Sequence, residues 1–501
     1  MIDDNTPVII GVGQAVDRVE SPAYAALSAA DLAAEAARAA VADCGVSILS
    51  SIDAIAGVRT FDASFPFVPP FGIPDNFPRA IARRLGIDPA YVALGRLGGD
   101  TPIGLIGQIG ARIAAGQSSV ALIVGGEAIS TVRHLLKRGE ARDWTEHDEG
   151  QLDDPGVALD DLVKPYQVIH GLRGAPAVYG LFENARRARL GLSEADYAGA
   201  MGDLFSRFVP VATANPYSNA TVEPMSAPEL VEVTARNRMV ADPYPMRLVA
   251  RDQVNQGAVL LMTSVGRARA LGIAEERWVY VHGLAMGVER DVIDRPDLGA
   301  APTALKTIEA TLGGKEITDI GHFDFYSCFP IAVFATAIDA LGLSADDPRG
   351  LTVTGGLPFF GGPGNNYATH AIATMVERLR TRRTDSGLVF ALGGYMSKFG
   401  AAVLSAVPAP WPEMPTVAPD LEPAVAIDWH PSGAGRVLTY TVLYDKAVPV
   451  RAVVIGEMEN GARFIASSTV SATLSRIADH DPLGARVVVT PSADGNVVRF
   501  A

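Results

Sequence analysis

The side chains that most often act as nucleophiles, bases or metal ligands are scarce in this chain of 501 residues. It contains two cysteines, Cys44 and Cys328, and eight scattered histidines. Neither a Cys-x-x-Cys nor a His-x-x-x-His spacing occurs, and zinc sites are typically built on such spacings. We therefore expect no metal site, and two cysteines are too few for a disulfide framework.

One predicted turn places polar groups where a helix begins. Residues 91–95 predict a strand, and Gly98-Gly99-Asp100-Thr101-Pro102 predicts a turn that opens a helix ending near Gly116. Residues 120–124 predict the next strand, so that the unit is typical of parallel βαβ structure. Asp100 or Thr101 suits the N-cap of the helix, and the alternative for Asp100 is a carboxylate that could itself be acylated.

Glycines are unusually dense in the second half of the chain, around residues 355–364 and 393–394. Tight turns explain such a pattern. Asn365 and Asn366 place polar groups at the start of a predicted helix. His370 lies further along that helix, and we expect it to be packed or on the surface, with a pocket-facing position as the alternative.

The elements that must position these residues form two similar α/β halves. We predict a first half over residues 1–130 and 252–275, an inserted loop domain over 131–251 and a second half over 276–407. Six prolines mark a linker over 408–423. Residues 424–501 alternate as short strands with Asn-Gly and Asp-Gly turns, which predicts a small all-β, barrel-like domain.

Composition excludes several functions. The formal net charge of −14 and the pI of about 5.1 oppose binding to nucleic acid. No stretch approaches the roughly 18 apolar residues of a membrane helix, and the N-terminus does not resemble a signal peptide. We therefore expect no membrane insertion and a cytoplasmic location.

Five short segments, in order and in register over about residues 5–407, resemble motifs of the thiolase superfamily. The resemblance is to the branch of the sterol-carrier-protein thiolases and, because of the extra C-terminal domain, to thiolase-like proteins of type 1. The segments stand where the family has its Gly-Gly-x-Glu-x-Met-Ser, Asn-Asp-Gly-Ala, His-Asp-Cys-Phe, Gly-His-Pro and Cys-x-Gly-Gly motifs; they are residues 125–130, 254–258, 326–329, 361–363 and 391–394.

The resemblance implies a duplicated βαβαβαββ thiolase fold in five αβαβα layers, followed by a C-terminal domain similar to an OB barrel. It also implies where catalysis would occur. In the family, a cysteine at the start of the central helix attacks a thioester, and a helix N-terminus favours the thiolate. The four catalytic positions of the family are occupied here by Gly99, Tyr326, Gly362 and Ala391, so no catalytic side chain is retained.

The resemblance further implies a coenzyme A or acyl-CoA ligand with no covalently bound cofactor. The candidate binding residues are Gly98, Gly99, Asp100, Gln256, Gly257, Tyr326, Cys328, Phe329, Gly361, Gly362, Pro363, Asn365, Asn366, Gly393, Gly394 and Arg247. Among them Cys328 is expected to be a buried core thiol. Arg236, Arg238 and Arg247 are the candidates for contacts with phosphate.

Three functions remain open on the sequence alone. The preferred one is a thiolase-fold protein of lipid metabolism that binds a coenzyme A thioester without thiolase turnover, a pseudoenzyme. The second is an acyltransferase or hydrolase of altered chemistry that uses Tyr326 or Asp100. The third is an interaction module, in which the fused barrel covers a surface otherwise used for dimerisation; we accordingly expect a monomer, with a dimer as the alternative.

Overall fold

A computed structural model describes residues 2–65, 67–157, 163–220 and 222–500. The predicted first half begins at Met1 and the predicted C-terminal domain ends at Ala501, and these two residues lie outside the described ones.

Helices and strands alternate through the first 405 residues, and strands dominate after residue 433. The strands are β1 (Pro7–Val16), β2 (Ala54–Gly57), β3 (Tyr91–Leu94), β4 (Val120–Ala128), β5 (Met239–Ala241), β6 (Tyr244–Pro245), β7 (Asn255–Ser264), β8 (Val279–Val288), β9 (His322–Phe325), β10 (Ser386–Gly393), β11 (Lys398–Ser405), β12 (Thr416–Val417), β13 (Gly433–Asp445), β14 (Val448–Met458), β15 (Arg463–Ser468), β16 (Arg486–Thr490) and β17 (Val497–Phe500). The helices are α1 (Ala29–Asp43), α2 (Phe77–Leu85), α3 (Thr101–Ala114), α4 (Ile129–Arg138), α5 (Pro165–Ile169), α6 (Ala175–Leu190), α7 (Glu194–Ser206), α8 (Val209–Ala214), α9 (Ala227–Val231), α10 (Val265–Ala270), α11 (Pro302–Leu312), α12 (Pro330–Val333), α13 (Tyr367–Thr381) and α14 (Ser471–Asp479).

The main sheet consists of two groups of strands that meet at its centre. Its order is β3-β2-β4-β7-β1-β8-β11-β10-β9, with β12 beside β8. The two groups are joined only where Val8 and Ile9 of β1 pair with Tyr280 and Val279 of β8. Each group contains parallel neighbours, β2 with β3 and β4 in the first and β9 with β10 in the second. Strands buried on both faces explain why β4 and β7 are almost continuously apolar.

Helices cover the sheet on both sides and also fill its interior. Helix α1 packs on β1, β4 and β7, and α11 packs on β8 and β11. Helices α3 and α13 each contact strands of both groups, so they form the central helical layer. Close approach of α1 requires a residue without a side chain on β7, because a Cβ at Gly257 would lie 2.5 Å from the carbonyl oxygen of Leu32.

The apolar run at residues 351–354 predicts a strand, but no strand forms there. The backbone amides of Val353 and Thr354 instead donate to the Oδ2 atom of the buried Asp324, at 2.9 and 3.1 Å. The hydroxyl groups of Thr352, Thr354 and Tyr367 donate to the same carboxylate. The apolar pattern of this segment reflects its burial, and a side chain takes the hydrogen bonds that a neighbouring strand would otherwise supply.

The C-terminal strands form a small closed barrel. Their order is β14-β15-β17-β16-β13-β5-β6, and the sheet closes through an additional pairing of β14 with β13. Two features were not predicted from the sequence. Helix α14 lies between β15 and β16, and the edge strands β5 and β6 come from the inserted region rather than from the end of the chain.

Helix α6 of the inserted region docks the barrel onto the rest of the protein. Arg187 donates to both carboxylate oxygens of Asp481 at 2.6 and 2.9 Å, and Asn184 donates to the carbonyl oxygen of Tyr440. On its other side, the same helix presents Glu183, which accepts from the backbone amide of Ile331 at 2.8 Å. The position of α6 is therefore fixed from the barrel and from the second half together.

Candidate functional site

A cavity of about 440 Å³ lies where the start of α3, the end of β9, the turn after β10 and the start of α6 converge. Nine of the residues predicted to bind a ligand contribute to its wall: Gly98, Gly99, Tyr326, Cys328, Phe329, Gly362, Asn365, Gly393 and Gly394. The volume is within the usual range for small-molecule sites, and most of the remaining wall is apolar.

Asp100 occupies the N-cap position of α3, but its side chain makes no capping hydrogen bond. The predicted N-cap position is therefore confirmed, but the prediction that the Asp100 side chain caps the helix by a hydrogen bond is wrong. The carboxylate lies behind Gly98 and Gly393, where any side chain on either glycine would collide with it. Its Oδ1 atom has no hydrogen-bond partner among the described residues. Burial raises the pKa of Asp100, against the opposing effect of the positive charge of Lys398.

Gly99 and Tyr326 share one small volume. A Cβ atom at Gly99 would lie 2.6 Å from the carbonyl oxygen of Leu392 and 2.8 Å from the hydroxyl oxygen of Tyr326. Contacts this short do not occur between unbonded carbon and oxygen atoms in relaxed structures. The tyrosine hydroxyl thus occupies the space into which a side chain at the start of α3 would project. Burial, followed by the neighbouring Cys328 and Asp100, raises the pKa of Tyr326, so this hydroxyl stays protonated.

Cys328 and Phe329 form an apolar floor together with Tyr179 of α6. Burial raises the pKa of the Cys328 thiol to about 12, and the hydroxyl group of Tyr179 is its hydrogen-bond partner. The rings of Tyr179 and Phe329 stack with their centres 4.4 Å apart. A thiol in this state is a poor nucleophile, which agrees with the expected buried core thiol.

The segment of residues 361–366 is divided between the cavity and the protein interior. Gly362 and Asn365 reach the cavity wall, and the carboxamide of Asn365 donates to the carbonyl oxygen of Arg59 at 2.8 Å. Gly361 packs against Gln256, and Asn366 packs against the backbone of β4 at Gly125. Four predicted contacts therefore lie away from the cavity wall: Gln256, Gly361, Pro363 and Asn366.

Two further predicted residues lie away from the cavity because they pack against other elements. Gly257 contacts the backbone of α1, and Arg247 is bonded to the inserted region through the carbonyl oxygen of Glu229 and the side chain of Asn237. Arg236 and Arg238 also do not contribute to the cavity wall. His370 is fully buried and bonded to Gln14 at 2.7 Å, and burial lowers its pKa to about 3.

The turn between β10 and β11 carries three successive residues in the left-handed region. Gly394, Tyr395 and Met396 have φ values of 57, 55 and 62°, and the latter two are unusual there because they carry a Cβ. The buried guanidinium of Arg295 bonds to the carbonyl oxygen of Met396 at 2.5 Å and holds this conformation. The turn places Gly393, Gly394 and the ring of Tyr395 on the cavity wall, whereas Ala391 lies in the core.

Sequence reasoning missed a whole side of the cavity. Arg173, Gly174, Ala175 and Pro176 form it where α6 begins, and the rings of Phe61 and Phe65 lie opposite. Proline in the first turn of a helix, directly after glycine, was the available signal for this helix start. Nothing in the sequence indicates that the inserted region contacts the first half and the second half together.

Glu127, at the end of β4, supports the same wall from behind. Its Oε1 atom accepts from the backbone amide of Phe61 at 2.8 Å. Burial, together with the nearby Asp62, raises the pKa of this carboxyl group to about 8. At neutral pH the group is therefore mostly protonated, so the wall carries little negative charge there.

The arrangement can enclose a narrow, largely apolar ligand. The thiol, the tyrosine hydroxyl groups and Asp100 all have pKa values raised by burial. Within the described ranges no group of three or more His, Cys, Asp or Glu side chains is placed to hold a metal ion. The same ranges contain no helix that is long and apolar enough to cross a membrane.

Comparisons with known proteins agree on the fold. The sequence profile of the thiolase-like protein type 1 additional C-terminal domain matches residues 415–495. The crystal structure of a monomeric SCP2-thiolase-like protein type 1 from Mycobacterium smegmatis is 41% identical over 100% of both chains, with a TM-score of 0.83. Comparison with curated proteins finds no match.

More distant structures share the fold alone. An acetyl-CoA acetyltransferase from Syntrophomonas wolfei is 15% identical over 80% of this chain and 100% of its own, with a TM-score of 0.58. The dimeric peroxisomal thiolase of Saccharomyces cerevisiae is 14% identical over 81% of this chain and 98% of its own, also with a TM-score of 0.58. The thiolase fold and the barrel-like C-terminal domain predicted from the sequence are confirmed.

Proposed function

The chain belongs to the family of SCP2-thiolase-like proteins of type 1, and from this premise we propose that it binds coenzyme A or an acyl-CoA in the cavity without thiolase turnover. The observation that carries the proposal is the contact between Gly99 and Tyr326. The nucleophile position of the fold has no side chain, and the hydroxyl group of the tyrosine occupies the space of the missing one. The cavity itself is open and lined for a ligand.

The shape of the cavity favours the thioester end of such a ligand. A volume of about 440 Å³ accommodates a pantetheine arm with a short acyl group but not the nucleotide as well. Cys328, Phe329 and Tyr179 offer an apolar end for the acyl group. The nucleotide would then remain at the mouth, on the protein surface.

The mouth offers groups that suit a diphosphate. Arg173 is exposed beside the start of α6, and the 16 residues of this helix direct its positive end toward the same place. Guanidinium groups and helix N-termini both stabilise phosphate. Arg173 replaces Arg236, Arg238 and Arg247 as the proposed phosphate contact because it alone of the four lies on the cavity wall.

Titration calorimetry with coenzyme A and acetyl-CoA tests this proposal. We expect saturable binding, weakened about tenfold in Arg173→Gln, which is roughly 1.4 kcal/mol of binding free energy. Arg138→Gln is the matched control, because Arg138 is an exposed arginine of α4 and neither it nor its ion-pair partner Glu140 contributes to the cavity wall. Absence of binding at about 1 mM ligand would remove the proposal.

Acyl-CoA hydrolysis is the second candidate, favoured by the unpaired Oδ1 atom of Asp100. It requires that Asp100 reach the thioester past Gly98 and Gly393, which separate it from the cavity. Release of free thiol from acetyl-CoA, lost in Asp100→Asn and in Tyr326→Phe, would favour hydrolysis over binding alone. We expect no release above the rate in buffer.

The edge of the main sheet supports a monomer. Strand β3 is an edge strand, and residues of the inserted region lie along it: the amide of Asp153 donates to Val92, and the amide of Leu94 donates to Asp153. An edge covered in this way does not present free backbone groups to a second copy. The barrel packs on α6 rather than on this edge. We therefore propose a monomer, and we place it in the cytoplasm because both cysteines are free and buried.

Such a protein would act in lipid metabolism as a carrier or sensor of an acyl-CoA. The barrel already has a partner within its own chain, helix α6. We therefore propose the interaction-module function only in this limited form.

A further inference from the structure

A second cleft, of about 690 Å³, opens beside the C-terminal half of α13. Its wall is formed by that helix on one side and by the start of β9 and the preceding loop on the other. The lining residues are Gly321, His322, Pro348, Arg349, Thr374, Glu377, Arg378, Thr381 and Arg382. The concentration of cations here is unusual for a chain with a net charge of −14.

Two of these basic side chains, one arginine and the histidine, already have partners. Arg349 donates to both carboxylate oxygens of Asp347, at 2.8 and 2.7 Å, and also to backbone carbonyl groups. His322 is bonded to Asp385 at 3.0 Å. These contacts fix both side chains, so the corresponding wall of the cleft is rigid.

The other two cations have no hydrogen bond or ion pair from their guanidinium groups within the part of the chain that the structure describes. Arg378 lies in the last turn of α13, Arg382 follows the helix directly, and both line the cleft. Arg378 is only partly exposed, and burial followed by the charge of Arg382 lowers its pKa. Two adjacent unpaired guanidinium groups repel each other, and an anion between them would remove that repulsion.

The nearby carboxylates do not fill this role. Asp324 lies beneath the helix, but its oxygen atoms accept from two amides and three hydroxyl groups. Glu377 is on the cleft wall, and the charged groups that act on it are Asp43 and Arg380, on the other side of the helix. Asp347 and Asp385 are already paired with Arg349 and His322.

We propose that this cleft is a second ligand site, which binds a phosphate-bearing small molecule between Arg378 and Arg382. Phosphate accepts two hydrogen bonds from each guanidinium group in the fork geometry that arginine provides. The volume of the cleft leaves space for a further organic portion of the ligand beside Thr374 and Pro348. The site is independent of the first cavity, because His322 begins β9 and Tyr326 follows its opposite end.

Calorimetric titration with inorganic phosphate, at constant ionic strength maintained with chloride, tests the site. We expect saturable binding that weakens about tenfold or more in the double variant R378Q/R382Q. Arg383→Gln is the matched control, because Arg383 lies beside them but donates to the backbone carbonyl groups of Glu275 and Glu276.

Two outcomes overturn the proposal. One is the absence of saturable phosphate binding by the wild-type protein below about 10 mM. The other is equal affinity in the wild type and in the double variant, provided that both have the same circular dichroism spectrum. Neither outcome bears on the binding of coenzyme A at the first cavity, which is measured separately in the same proteins.

Discussion

At the scale of single residues, the contact between Gly99 and Tyr326 determines what the cavity can do. A glycine without its neighbouring tyrosine would leave a void, and a tyrosine without the glycine would collide with a side chain. The two positions therefore act as one unit. The sequence predicts that residue 99 carries no nucleophile, but it does not predict that the hydroxyl group of Tyr326 fills the space beside it.

Restoring a cysteine at residue 99 by itself should destabilise the protein. We expect Gly99→Cys to lower the free energy of unfolding by about 1–3 kcal/mol, because the new Cβ would lie 2.8 Å from the tyrosine hydroxyl oxygen. Gly99→Cys should cost less when it is added to a Tyr326→Ala protein than when it is added to the wild type, although the contact of the new Cβ with the carbonyl oxygen of Leu392 remains. Urea denaturation followed by circular dichroism measures both.

Gly104→Ala, in the same helix, is the control for that experiment. A Cβ at this position meets nothing closer than 3.6 Å, and alanine is the better helix former, so stability should be equal or higher. A Gly99→Cys protein as stable as the wild type would contradict the prediction.

Both thiols should be unreactive in the native protein. Burial raises the pKa of Cys328 to about 12 and also raises that of Cys44, so at pH 8 the thiolate is a very small fraction of either. We expect no colour with a disulfide reagent such as dithiobis-nitrobenzoate until the protein is unfolded in guanidinium, when two equivalents react. Rapid reaction of Cys328 in the folded protein would show that the cavity holds an activated cysteine.

At the scale of elements, Glu127 links the end of β4 to the loop that carries Phe61. Its pKa is raised from 4.5 to about 8, so the folded protein binds a proton that the unfolded chain releases between these values. This group therefore favours folding at low pH, and its contribution declines as the pH rises from about 4.5 to 8. The loop at the cavity wall depends on the same bond.

The variant Glu127→Gln should flatten the dependence of stability on pH. We expect the change in unfolding free energy between pH 4.5 and pH 8 to shrink by roughly 1–4 kcal/mol, because glutamine keeps the acceptor oxygen and does not titrate. Urea denaturation at a series of pH values measures it. Glu35→Gln, at an exposed position of α1, serves as the control, and an identical pH dependence in Glu127→Gln and the wild type would contradict the assignment.

The elements show clearly what sequence patterns can and cannot predict. Strands β1, β4 and β7 and helices α1 and α3 follow from apolar runs, caps and glycine stops, all of which are local signals. The predicted strand at residues 351–354 is wrong because a buried carboxylate, distant in sequence, takes its amides. The short strands β5 and β6 were missed because they are three and two residues long and because β5 pairs with β13, about 200 residues later in the chain.

The residues of the candidate site could be predicted from the sequence to about the same extent as the helices and strands. Three of the five motif segments, residues 326–329, 361–363 and 391–394, contribute six of the nine predicted wall residues. Arg173 and Tyr179 could not be predicted, since only the tertiary packing of α6 brings them there.

At the scale of the whole molecule, the barrel and the cavity are linked through α6. The helix contributes Ala175, Pro176 and Tyr179 to the cavity wall and Arg187 to the barrel contact. Disturbance of the barrel should therefore be detected at the cavity, although no barrel residue lines it within the described ranges.

Asp481→Asn tests this linkage. We expect a loss of about 1–3 kcal/mol in stability, since Arg187 is 1% exposed and would keep its charge with a weaker partner. Hydrogen exchange should rise along α6, and affinity for acetyl-CoA should fall. Arg436→Gln, which removes an exposed ion pair of the barrel, should change neither, and unchanged exchange in α6 of the Asp481→Asn protein would contradict the linkage.

The covered edge at β3 predicts the state of association. Light scattering should give a mass near 52.6 kDa at all accessible concentrations. A mass of twice that value would show that the covered edge does not prevent pairing.

The shared volume of Gly99 and Tyr326 also has a historical consequence. If an ancestor carried a cysteine at residue 99, loss of that side chain before the tyrosine entered was the less costly order, since the two together strain this backbone. The reverse path meets the same obstacle, because a cysteine regained in the presence of Tyr326 damages folding before it can restore any chemistry. Selection for activity alone would therefore act against the first step back, and the lineage would be held away from catalysis by sterics.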